Sequence, residues 1–92
     1  MRNITDFIEQ LERAKSPFSI WVYSSKGHYS QFGTQVSKQC TFQLQEAIDQ
    51  RLQVIVKMQN DGAFLLLPEV NMVVPVNFHD GQIFSMNMTQ AA

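Results

Sequence analysis

The chain is short of ionisable side chains. Only 16 % of its 92 residues are Asp, Glu, Lys or Arg, against roughly 25 % in an average globular domain. Disorder needs high charge and low hydrophobicity, so a chain that is 45 % hydrophobic is expected to fold. Cysteine is nearly absent: Cys40 stands alone, which excludes an internal disulfide and fits a reducing compartment. The four glycines are scattered among turns, so there is no Gly-rich phosphate loop. No apolar run approaches the ~18 residues of a membrane span. The opening Met1-Arg2-Asn3-Ile4-Thr5-Asp6 lacks the apolar stretch of a signal peptide. The expectation is a cytoplasmic protein with no membrane contact and no cofactor.

Polarity is carried largely by eleven Gln, with Ser and Asn beside them, so the surface should be polar but nearly neutral. Net charge is −1, without the basic excess usual in a DNA-binding domain. The charges are unevenly placed. All seven cations lie between Arg2 and Lys57, against five acids there, leaving net +2. Residues 58–92 hold only Asp61, Glu69 and Asp80, leaving net −3. At this length the chain is one domain, 1–92, with a small core that association would help.

Residues 3–15 read as a helix. Ile4, Phe7, Ile8 and Leu11 form one apolar stripe at helical spacing, and Thr5 or Asn3 can cap it. Asp6 and Glu9 near the start and Arg13 and Lys15 at the end suit the helix dipole. Ser16-Pro17 stops it. Residues 18–88 read as mainly β, with 89–92 a loose tail. Phe18–Tyr23 is a β-branched and aromatic strand, with Ile20 and Val22 on one side and Trp21 and Tyr23 on the other. A second strand is expected from His28 to Val36, interrupted at Gly33.

The stretch 39–51 fits two periods. Cys40, Phe42 and Leu44 alternate, yet Cys40, Leu44, Ala47, Ile48 and Leu52 keep helical spacing. Its helix formers favour a short second helix at 41–50. Leu52–Met58 and Ala63–Leu67 are strands around Asn60-Asp61-Gly62, a hairpin signal. Val70–Val76 follows, with Pro75 indicating an edge or a bend. Gln82–Met88 is expected to close the chain after the Asp80-Gly81 turn.

Few residues could carry chemistry. His28 and His79 have no second ligand at metal spacing, and Cys40 has no evident activating base. Glu9 with Glu12, and Glu46 with Asp49, read as solvated helix surface. The expectation is therefore no enzyme, no catalytic residue and no metal. The apolar run from Phe64 to Val76 is different, because strands apolar on both faces are covered on both faces. Coverage comes either from the leading helix and the curling of the sheet, or partly from a second chain. Phe64, Leu66, Met72, Val74 and Val76 are the candidate interface residues, and homo-oligomerisation is expected.

The passage from Phe7 to Trp21, with its Pro17-Phe18-Ser19-Ile20 strand entry, resembles the opening of the Hfq family of Sm-like proteins. Gly27, Gly33 and Thr34-Gln35-Val36 are similar to that family's glycine-marked second strand. Val70-Asn71-Met72-Val73-Val74-Pro75 is similar to its last strand. The resemblance implies a strongly bent five-stranded barrel capped by the helix, a ring of subunits joined edge to edge, and RNA binding. It places a basic rim on Arg13 and Lys15, with Tyr29 and Phe32 as candidate stacking residues. The family's Tyr-Lys-His phrase, part of its uridine pocket, is replaced here by Leu66-Leu67-Pro68.

The fold expected is α+β: an N-terminal helix packed on a strongly curved antiparallel sheet or a small Sm/SH3-like barrel. The alternative has a mid-chain helix crossing an open sheet. The function expected is a small non-enzymatic module that binds another macromolecule, a protein partner first of all, through its β-face or edge, as a regulator or inhibitor from a phage or mobile element would. The alternative is an oligomeric Sm-like RNA-binding protein.

Overall fold

The computed structural model describes residues 3–14, 17–25, 27–32, 41–59 and 62–86. They form an α+β domain in which two helices lie on one face of a curled six-stranded sheet. The elements in chain order are α1 (Ile4–Ala14), β1 (Phe18–Ser25), β2 (His28–Phe32), α2 (Thr41–Asp49), β3 (Val54–Met58), β4 (Ala63–Leu67), β5 (Met72–His79) and β6 (Gln82–Met86). Every strand pair is antiparallel, and the spatial order is β2-β1-β3-β4-β5-β6.

The helix α1 starts where two asparagines satisfy its free amides. Asn3 Oδ1 accepts from the Asp6 amide at 2.7 Å, and Asn71 Oδ1 accepts from the Ile4 amide at 3.0 Å. The second bond ties the helix to the β4–β5 turn, 67 residues away in sequence. Ile4, Phe7 and Leu11 are the buried stripe.

The helix α2 lies within the expected 41–50 and carries the chain from β2 to the other side of β1. It ends in a Schellman motif. The Arg51 amide donates to Ile48 O at 2.9 Å, and the Leu52 amide to Ala47 O at 3.2 Å. Arg51 thereby takes φ 62°, a left-handed conformation that glycine adopts without its Cβ penalty. Arg51→Gly is expected to stabilise the domain by roughly 0.5–1 kcal/mol. A shift of the urea midpoint to higher concentration checks this, and an unchanged or lower midpoint refutes it.

The alternation read from β1 holds, and it sorts the core onto two sheet faces. On the helix face, Ile4, Phe7, Leu11, Leu44 and Ala47 pack over Phe18, Ile20, Val54, Val56, Leu66 and Val73. On the other face Tyr29, Ile55, Ala63, Leu65, Val74 and Phe78 cluster together, with Trp21, Leu67, Met72, Val76 and Ile83 at the margin. Val54, Ile55 and Val56 are all fully buried because β3 is covered on both sides.

The sheet has the six strands and the intervening helix read from the sequence, one strand more than the Sm-like resemblance implies. Two expectations about the fifth strand are corrected. Val70 and Asn71 belong to a turn, since Asn71 adopts φ 53°, and the strand runs instead from Met72 to His79. Pro75 does not mark an edge: β5 lies between β4 and β6. Lys15, Gly33, Thr34–Val36, Cys40 and the tail from Thr89 lie outside the described residues.

Candidate functional site

The β5–β6 hairpin gathers the features left over once the core is built. Asp80 and Gly81 take φ 54° and 77°, the two positive values of a type I′ turn, as the Asp-Gly pair requires. The register then slips: Phe78 pairs with Ile83, and Asn77 with Ser85, so Phe84 is an extra residue in a β-bulge. A bulge re-aims a side chain. Phe84 is 63 % exposed, and its ring lies 6.3 Å from that of His79. Beside it Pro75, Val76, Asn77 and Ser85 line a shallow depression of about 270 Å³. From Gly81 to Met86 the sequence carries no charged residue. At the outer edge of β6, the described residues contribute no further strand.

On the inner face the aromatic rings meet edge to face. Phe78 lies 5.3 Å from Trp21 and 5.9 Å from Tyr29, and Tyr29 lies 5.5 Å from Tyr23. The polar ends are satisfied. Trp21 Nε1 donates to Ser19 Oγ at 3.0 Å, and the Tyr29 hydroxyl donates to Gln53 Oε1 at 3.3 Å. The Tyr23 hydroxyl accepts from the Gly27 amide at 3.1 Å.

Burial, and secondarily the neighbouring Tyr23, raises the Tyr29 phenol above its ordinary value of 10.0. A group whose folded pKa is raised stabilises fully below the unfolded pKa and loses that contribution as pH rises through the folded one. Stability should therefore fall above about pH 10. Tyr29→Phe should flatten that alkaline decline. Urea midpoints measured from neutral to strongly alkaline pH check this, and equal slopes in the two proteins would refute it.

The candidate residues read from the sequence are spread over the molecule. Arg13 is exposed in the last turn of α1, and Lys15 lies outside the described residues. Tyr29 is only 6 % exposed, so its ring serves the core and presents little surface to a base. Phe32 is half-buried against the helix-face core. Of the candidate interface residues, Leu66 at 0 % and Val74 at 3 % are covered within this one chain. Phe64 is half-buried and packs on Phe7, with ring centroids 5.2 Å apart. Met72 and Val76 lie at the margin of the inner cluster.

His28 and His79 are both exposed and occur in different strands. Among the described residues no three His, Cys, Asp or Glu side chains approach closely enough to hold a metal ion. No described helix is long and apolar enough to cross a membrane. No protein-family model, no curated protein and no solved structure matches this chain.

Sequence reasoning missed Phe84 and the Trp21–Tyr29–Phe78 cluster. The alternation in β1 marks the face of Trp21, but nothing local announces that Phe78, 57 positions later, lies against it.

Proposed function

We propose that this chain is a small binding module that works by contact, adding an extended strand of a partner protein to the outer edge of β6. The observation that carries this reading is the edge itself: an uncharged strand with the bulged Phe84 turned to solvent. Edge strands ordinarily carry charge, proline or a cover that blocks pairing. β6 is short and bulged, but its sequence Gln82-Ile83-Phe84-Ser85-Met86 holds neither charge nor proline. Strand addition draws affinity from backbone hydrogen bonds and specificity from a few side-chain contacts. Phe84 and the neighbouring depression at Pro75 supply such contacts.

A photo-reactive amino acid at position 84, expressed in the native host, tests the proposal. The expected result is one cross-linked protein partner, lost when excess unlabelled wild-type chain competes but retained when the competitor carries Phe84→Lys, and absent from a probe at the exposed Glu9. Failure to capture any protein at 84 overturns the reading. Capture of RNA, with binding that weakens steeply with salt, replaces it with the Sm-like reading. Capture of a second copy of the chain assigns the edge to self-assembly.

A further inference from the structure

The five neighbouring strand pairs are true ladders, each with four or five residues in register. The joint that curls the sheet back on itself, between β2 and the β5–β6 turn, is built differently. There the Tyr29 amide donates to the Gly81 carbonyl at 2.7 Å, the one backbone bond of this joint among the described residues. Beside it the Phe78 ring lies edge to face against Trp21 and Tyr29, and the His28 ring stands over Gly81. The approach depends on the missing side chain: a Cβ on Gly81 would stand 2.7 Å from the Tyr29 carbonyl oxygen and 3.2 Å from His28 Nδ1.

We infer that the β5–β6 turn is a latch that releases from β2 while the rest of the sheet stays paired, uncovering the aromatic inner face formed by Trp21, Tyr29 and Phe78. Elements open locally when few buried contacts and few hydrogen bonds hold them, at a lower free energy than global unfolding. The strands β3 and β4 are held by ladders on both sides, whereas the turn meets β2 through this one backbone bond, with the Phe78 ring of β5 set against Tyr29 of β2 and Trp21 of β1. The latch also stands beside the β6 edge, so its release changes the setting of that edge. This inference does not depend on strand addition, because it concerns the free protein.

Amide hydrogen exchange on the whole chain tests it. In the wild-type protein the Tyr29 amide is expected to exchange roughly a hundredfold or more faster than the Ile55 amide, with little dependence on added urea. Phe78→Leu keeps an apolar side chain but removes the ring contacts. It should speed Tyr29 exchange about tenfold and expose Trp21 to acrylamide quenching, while Ile55 exchange changes little. If Tyr29 and Ile55 exchange at the same rate with the same urea dependence, the joint opens only by global unfolding and the latch is refuted. An equal acceleration of both amides in Phe78→Leu refutes it too. Should that variant not fold, the wild-type urea dependence alone decides.

Discussion

Phe7→Ala is expected to cost roughly 3–5 kcal/mol, the usual range for emptying a buried phenylalanine site. The ring is 2 % exposed, sits at the centre of the α1 stripe and packs on Phe64. A domain's whole stability is about 5–15 kcal/mol, so one substitution removes a large share of it. The physical reason is the small number of anchors. Ile4, Phe7 and Leu11 are the buried residues of α1, and among the described residues they and α2 supply the cover of the sheet's helix face. Denaturation followed by circular dichroism and Trp21 fluorescence measures the loss. Glu9→Ala, on the exposed side of the same helix, should stay within about 0.5 kcal/mol. A loss below about 1 kcal/mol for Phe7→Ala would mean that α1 contributes little to the core, and the described packing would be wrong.

The second large effect is expected at Gly81. Alanine there would adopt φ near +77°, which costs about 1–2 kcal/mol for an L-residue. Its Cβ would also meet the Tyr29 carbonyl oxygen, which is backbone and cannot rotate away. Relief requires the turn to withdraw, which sacrifices the Tyr29–Gly81 hydrogen bond, about 1 kcal/mol in net terms. The total is roughly 2–3 kcal/mol. Gly27 and Gly62 are internal controls, because both have positive φ and nothing stands within 4 Å of the Cβ position. Alanine at either should show the conformational cost alone. If urea midpoints fall equally for Gly27→Ala and Gly81→Ala, the contact between β2 and the β5–β6 turn contributes nothing to stability.

The two glycine environments show what kind of information a sequence holds. The pair Asp80-Gly81 announces a tight hairpin turn, and the structure has one. No local pattern says that one face of Gly81 will touch β2, because that contact joins residues 52 positions apart. The same division runs through the candidate site. Tyr29 reads from the sequence as an aromatic residue available for stacking, since a single strand position does not show what packs over it. Phe78 and Trp21 fill that space. The five candidate interface positions between Phe64 and Val76 all read as strand residues needing cover, and the helices and the curl of the sheet divide them into fully covered and half-covered. Phe84 gains its exposure from a one-residue register slip, which hydrophobic alternation alone does not mark.

By itself the sequence determined the short-range features: the stripe of α1, the helical preference of 41–50, the strand faces around Trp21, and the turns at glycine. These depend on periodicity and on which residues tolerate particular backbone angles, and both are local properties. The tertiary structure alone decided that β3 pairs with β1 and not with β2. It alone decided that Asn71 caps a helix at the far end of the chain, that the inner face closes through Tyr29 and Gly81, and that β6 ends the strand order among the described residues. Those outcomes depend on which apolar surfaces meet after the chain collapses, a choice made between distant segments and written in none of them separately.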